Sequence, residues 1–116
     1  MKIVNRDTFL KMPTDTLYSK YRPVCFDELN IFVGASGDVD FFYQDISAAV
    51  LSDSSGDTVE ILVAAEKTGH SIALDLWENT SRDGLYDEDQ LFAVWEDHDV
   101  LDLIERLKIC VHGETP

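Results

Sequence analysis

Lysine and arginine are scarce in this chain: 9 against 23 Asp plus Glu over 116 residues, for a formal net charge of −14 and a pI near 4.2. Such a balance repels nucleic acid and anionic membrane surfaces, so direct binding to either is not expected. Cysteine is scarcer still. Cys25 and Cys110 stand far apart with no second cysteine near either, which excludes a zinc-ribbon motif and a multi-bridge secreted scaffold. Two thiols buried in the core are the expectation, Cys25 lying between Val24 and Phe26. Long apolar runs are missing too. No stretch nears the ~20 residues needed to cross a bilayer, and the opening Met1-Lys2-Ile3-Val4-Asn5-Arg6 lacks the apolar segment of a signal peptide. A cytoplasmic protein is expected.

The motifs of familiar enzyme classes are also missing. Six glycines, at 34, 37, 56, 69, 84 and 113, make no phosphate-cradling loop. His70, His98 and His112 lack the i, i+4 spacing that puts two ligands on one helix face, so no metal site is expected. Four carboxylates in Asp83-Gly84-Leu85-Tyr86-Asp87-Glu88-Asp89 invite a calcium reading. The EF-hand pattern fails there because Gly84 follows the first Asp and Leu85 takes a ligand position. No catalytic set and no cofactor is expected.

What is present is enough apolar material, 45% with 10% aromatic, for one core and therefore a single domain over 1–116. Asn5 is placed to cap a short helix ending before Pro13. Thr16 to Tyr21, Leu29 to Val33 and Val39 to Ile46 read as a three-strand meander. Asp57 with Glu60 resembles a capping box for a helix from about Thr58 to Lys67. Its Val59, Ile61, Leu62, Val63 and Ala65 form a broad apolar arc, so this helix is expected to be well buried, with Glu66 anomalous on the apolar side. Ser71 to Trp77 alternates like a half-buried strand, and Leu91 to Trp95 is apolar without alternation, as a central strand is. Asp97 is the expected cap of a helix to about Ile109 with Val100, Leu101, Leu103, Ile104 and Leu107 on one face. The class is α+β: an antiparallel sheet of about five strands, two main helices packed on it and a short N-terminal helix.

Charge is segregated along the chain. Residues 1 to 22 carry a net +3, residues 23 to 105 hold 20 acids against Lys67 and Arg82, and the last eleven return +1. An acidic face that occupies the basic groove of a nucleic-acid-binding protein is the reading this favours. Asp87, Glu88 and Asp89, with Asp99, Asp102 and Glu105 on one helix face, are its natural contributors. The alternative is a small-ligand binder in which Trp77, Arg82, Tyr86 and Trp95 stack on and hold an anionic nucleotide. The oligomeric state is left open, a homodimer included.

Two stretches carry a resemblance. Val4-Asn5-Arg6-Asp7-Thr8-Phe9-Leu10 with Met12-Pro13, Thr16-Leu17-Tyr18-Ser19-Lys20-Tyr21 and Pro23, and then Arg82-Asp83-Gly84 with Asp87 and Asp89-Gln90-Leu91-Phe92-Ala93-Val94, resemble small acidic proteins of tailed bacteriophages. In size and charge the chain is similar to anti-CRISPR and anti-restriction inhibitors. The resemblance implies an accessory protein that binds a basic host protein stoichiometrically, such as a nucleic-acid-targeting defence complex.

Overall fold

Asn5 ends the first strand and starts the first helix. In the computed structural model, which describes residues 1–47 and 49–113, strand Lys2–Val4 (β1) leads directly into helix Arg6–Leu10 (α1). Asn5 is extended and its side chain accepts the Thr8 amide, the geometry of an N-cap. Strands Thr16–Arg22 (β2), Cys25–Ser36 (β3) and Asp40–Asp45 (β4) follow as the expected meander. Helix Ser55–Thr68 (α2), the two-residue strand Ser81–Arg82 (β5), strand Leu91–Val94 (β6) and helix Asp97–His112 (α3) complete the order. All six strands join one sheet, β1-β6-β2-β3-β4-β5, antiparallel at every pairing. The fold is α+β, as expected.

The last strand in sequence lies between the first two. Val94 pairs with Lys2 on one side and Tyr18 on the other, so Phe92, Ala93 and Val94 are all buried. That central position is why the segment shows no polar alternation. One face of the sheet carries the aromatic core, because Tyr18, Phe32, Phe41, Phe92 and Val94 gather there around Phe9 from α1. Phe9 stacks flat on Phe92 with ring centroids 3.9 Å apart and meets Tyr18, Phe32 and Phe41 edge-on at 4.7 to 5.1 Å. Each such pair adds about 0.5–1.5 kcal/mol beyond its buried area. A five-residue helix therefore anchors the core through one side chain.

Pro23 and Val24 link β2 to β3. Val24 has φ +56°, which with the fixed φ of proline is the signature of a type II turn. Glycine or asparagine normally fills that second position, since a β-branched residue is strained there. Val24 is nevertheless 95% exposed and holds no packing role.

Several local expectations are corrected. Helix α2 has no buried residue at all; Ile61 and Ala65 are half-buried while Val59, Leu62 and Val63 are exposed, and Glu66 is exposed beside them, so its position is no anomaly. Its N-cap is Ser54, whose Oγ accepts the Asp57 amide, rather than Asp57 itself. Helix α3 is capped by Glu96, reciprocally with Asp99, rather than by Asp97, and it too has no buried residue. Residues 71–77 form only a bridge, Val50 to Leu74. The strand stops there because Asp75 turns its carboxylate onto the amides of Trp77 and Glu78, at 3.0 and 2.9 Å. Both cysteines are exposed: Cys25 follows the hairpin tip and Cys110 lies on α3, neither of which faces the core.

Candidate partner-binding surface

Arg6 organises an acidic recess of the molecule. Standing at the first position of α1, it is 5% exposed. Its guanidinium donates to the carbonyls of Val39, Asp87 and Leu85 at 2.6, 3.1 and 3.4 Å. The cation also lies 5.6 to 5.9 Å from the ring centres of Phe41, Tyr86 and Phe92, within the range of a favourable cation–π contact. One side chain thus ties the β3–β4 turn and the loop before β6 to the aromatic core.

That loop is held at further points. Asp40 accepts the amides of Phe41 and Gly84 at 2.8 and 3.0 Å and pairs with Arg82 at 3.2 Å. Burial acts to raise the Asp40 pKa, yet the Gly84 and Phe41 amides, with Arg82 and Arg6 nearby, hold it below the usual carboxylate value. Asp83 pairs with Lys20 at 2.6 Å in a largely dry setting, and Gly84 supplies the positive φ the turn requires.

Between α1 and this loop opens a cleft of about 400 Å³ lined by Asn5, Arg6, Asp7, Asp38, Val39, Tyr86, Glu88 and Asp89. Among the described residues, none of its four carboxylates is in an ion pair with a cation of the chain. Their field is directed at solvent, while the one positive group beneath them is occupied by carbonyls. Glu88 and Asp89 belong to the run singled out from sequence. Asp87 instead serves the loop itself, its carboxylate accepting the Asp89 amide at 3.0 Å. Sequence reasoning missed Asp7 and Asp38, which the fold brings in from segments 31 residues apart. The basic composition of the first 22 residues hid Asp7, and a Gly-rich loop hid Asp38.

The other three predicted acids lie at the opposite end of β6, at α3. Asp99 accepts the Glu96 amide at 2.9 Å and, with Glu96, holds the Met1 ammonium. Hydrogen bonding to that ammonium lowers both carboxyl pKa values and raises that of the amine. Glu96, His98 and Asp99 bring ligand atoms within 4.8 Å of one another, but the ammonium already occupies their carboxylates. Glu105 is paired with Lys108 at 3.0 Å. Only Asp102 is free of such a duty among the described residues, on a recess of about 300 Å³ with Met1, Trp95 and Leu103.

The four residues proposed for nucleotide stacking are not assembled. Tyr86 leans on Arg6 and lines the acidic cleft, Trp95 lines the recess at α3, and Arg82 is paired with Asp40. Trp77 is 89% exposed on the turn after Asp75. A third hollow of about 270 Å³ is lined by Tyr18, Lys20, Asn30, Tyr43 and Asp83, among others. Tyr18 Oη and Asn30 Oδ1 are buried there side by side, and burial, then the nearby Asp83 charge, push the Tyr18 pKa up, opposed by hydrogen bonding with Asn30.

Fold and surface define an α+β protein with a six-stranded antiparallel sheet, an aromatic core on one face and an acidic cleft at one end of the interior strand β6. No family model matches the chain, and neither a curated protein nor a solved structure does. Among the described residues no helix is long and apolar enough to cross a membrane.

Proposed function

We propose that the protein acts inside a bacterial cell by stoichiometric binding, as a phage-type anti-defence inhibitor that occupies the basic groove of a nucleic-acid-binding host protein. The observation that carries this reading is the gathering of Asp7, Asp38, Glu88 and Asp89 around one cleft in which, among the described residues, none of the four is ion-paired and the single lining cation, Arg6, is turned onto three backbone carbonyls. A net charge of −14 adds long-range steering toward a cationic partner. Arg6 and Asp40 tie together the three segments that present the acids, namely α1, the β3–β4 turn and the loop before β6, which lowers the ordering cost of binding.

The test is capture from a bacterial lysate, followed by competition. A basic protein held at about 0.05 M salt, released at about 0.5 M and displaced by its own nucleic acid is the expected result. Reversing Asp38, Glu88 and Asp89 together to Lys should weaken that complex by at least roughly a hundredfold, because three desolvated charge pairs turn repulsive. Unchanged affinity in the folded triple variant, or capture indifferent to salt and to nucleic acid, overturns the reading.

A further inference from the structure

The single chain exposes more surface than its mass accounts for. At 13.1 kDa a folded monomer exposes roughly 6,400 Å², whereas this one exposes 8233 Å². Its radius of gyration is 16.2 Å, against about 13 Å for a compact chain of this length. The two long helices contribute to this, since neither has a buried residue and each presents exposed apolar side chains. On α3, Leu101, Ile104, Leu107 and Val111 are all exposed, and with Val100 they span an arc of roughly 120° on a helical wheel. On α2, Val59, Leu62 and Val63 are exposed in the same way.

We propose that a second copy of this chain covers these faces, with the α3 helices of the two copies packed antiparallel about a two-fold axis. Area is the first argument. The excess is roughly 1,800 Å² per chain by the same scaling, so two copies that cover it bury about 3,700 Å² together, within the range of obligate homodimers. Self-complementarity is the second. The first half of α3 carries Asp97, Asp99 and Asp102 with His98, and the second half carries Arg106, Lys108 and His112 with Glu105, so the first half is net acidic and the second net basic. A two-fold axis sets each half against the opposite half of the other copy, as an isologous interface requires. Asp97 and Lys108 fall within this arc, roughly 20° apart on the wheel and between Ile104 and Leu101, and Lys108 also reaches Glu105 of its own helix at 3.0 Å. With the axis between Asp102 and Leu103, Leu101 meets the second copy's Ile104 and Asp97 meets the second copy's Lys108. A parallel pairing would set acid against acid. An unrelated partner would have no need of this internal symmetry.

Association between copies does not depend on the acidic cleft, and its salt response has the opposite sign. Two chains of −14 repel, so salt screens the repulsion and strengthens an apolar dimer. Sedimentation equilibrium of the full chain at about 10 µM is expected to give twice the chain mass, more firmly at high salt than at low. Ile104→Glu with Leu107→Glu should return the monomer with an unchanged sheet by circular dichroism. Leu101→Ser with Val111→Ser, at positions the single chain leaves in solvent, repeats the test if the first pair fails to fold. Asp97→Lys and Lys108→Asp should each weaken the dimer roughly fivefold, the pair occurring twice, and the double exchange should restore it. A monomer at about 100 µM in high salt, or a dimer indifferent to both apolar variants, overturns the proposal, and an exchange that fails to restore affinity overturns the antiparallel arrangement.

Discussion

Arg6 and Val24 show how differently two residues can be legible. Arg6 stands among polar neighbours in the sequence and looks like a surface cation. Its burial follows from carbonyls contributed by residues 39, 85 and 87, which no local pattern foretells. Val24 sits after Pro23, which marks the turn, but valine argues against the left-handed backbone found there. The strain leads to a direct expectation: Val24→Gly should stabilise the fold by about 0.5–1 kcal/mol. Relief of about 1–2 kcal/mol is partly offset by the entropy of glycine in the unfolded chain. Urea unfolding with unchanged slope would verify it. Asp75 supplies a pH dependence. Hydrogen bonds from the Glu78 and Trp77 amides hold its pKa below the ordinary 3.8. The stabilisation is therefore full above the unfolded value and vanishes as pH falls through the lower folded value. Amide resonances of Trp77 and Glu78 should shift in that acid window, and Asp75→Ala should abolish the titration.

At the scale of elements, periodicity located nearly everything and failed on burial. The β-prone composition of β2, the alternation in β3, the apolar run of β6 and the stripe on α3 were all readable, because each is a local property of the sequence. Whether a stripe meets the chain's own core is a different question, and α2 and α3 answer it in the negative. An amphipathic pattern records that apolar surface is to be covered, and it is silent on what covers it. The carboxylates of α3 divide in the same manner. Asp99 closes a capping box and holds Met1, so Asp99→Lys should fray the first turn, with amide exchange there roughly fivefold faster. Asp102→Lys, one turn on and without such a bond, should leave exchange unchanged. Charge reversal along this helix is therefore no clean probe of partner binding unless Asp99 is spared.

For the whole molecule, the sequence revealed that acids dominate residues 23–105 but could not reveal convergence. Convergence depends on β6 placing the loop at 83–90 beside α1 at one end and α3 at the other. The six acids chosen from sequence are split between those ends, and the cleft gains Asp7 and Asp38 instead. The two surfaces proposed above are expected to respond to salt with opposite signs. Raising ionic strength should loosen a cationic partner from the cleft while tightening the association of copies through α3, and titrating salt against both equilibria with the same preparation separates them.

The position of β6 also governs when the molecule can fold during synthesis. Among the described residues β1 pairs with β6 alone, and Phe9 finds its flat stacking partner in Phe92. Until the ribosome has released the chain past residue 94, the first strand has no neighbour and the first helix lacks the ring it lies on. The meander of β2, β3 and β4 is free to pair earlier, since its hairpins are local. Completion of the core thus waits on β6, and until residues 91–94 are available β1 must remain an unpaired strand that only later-made sequence can claim.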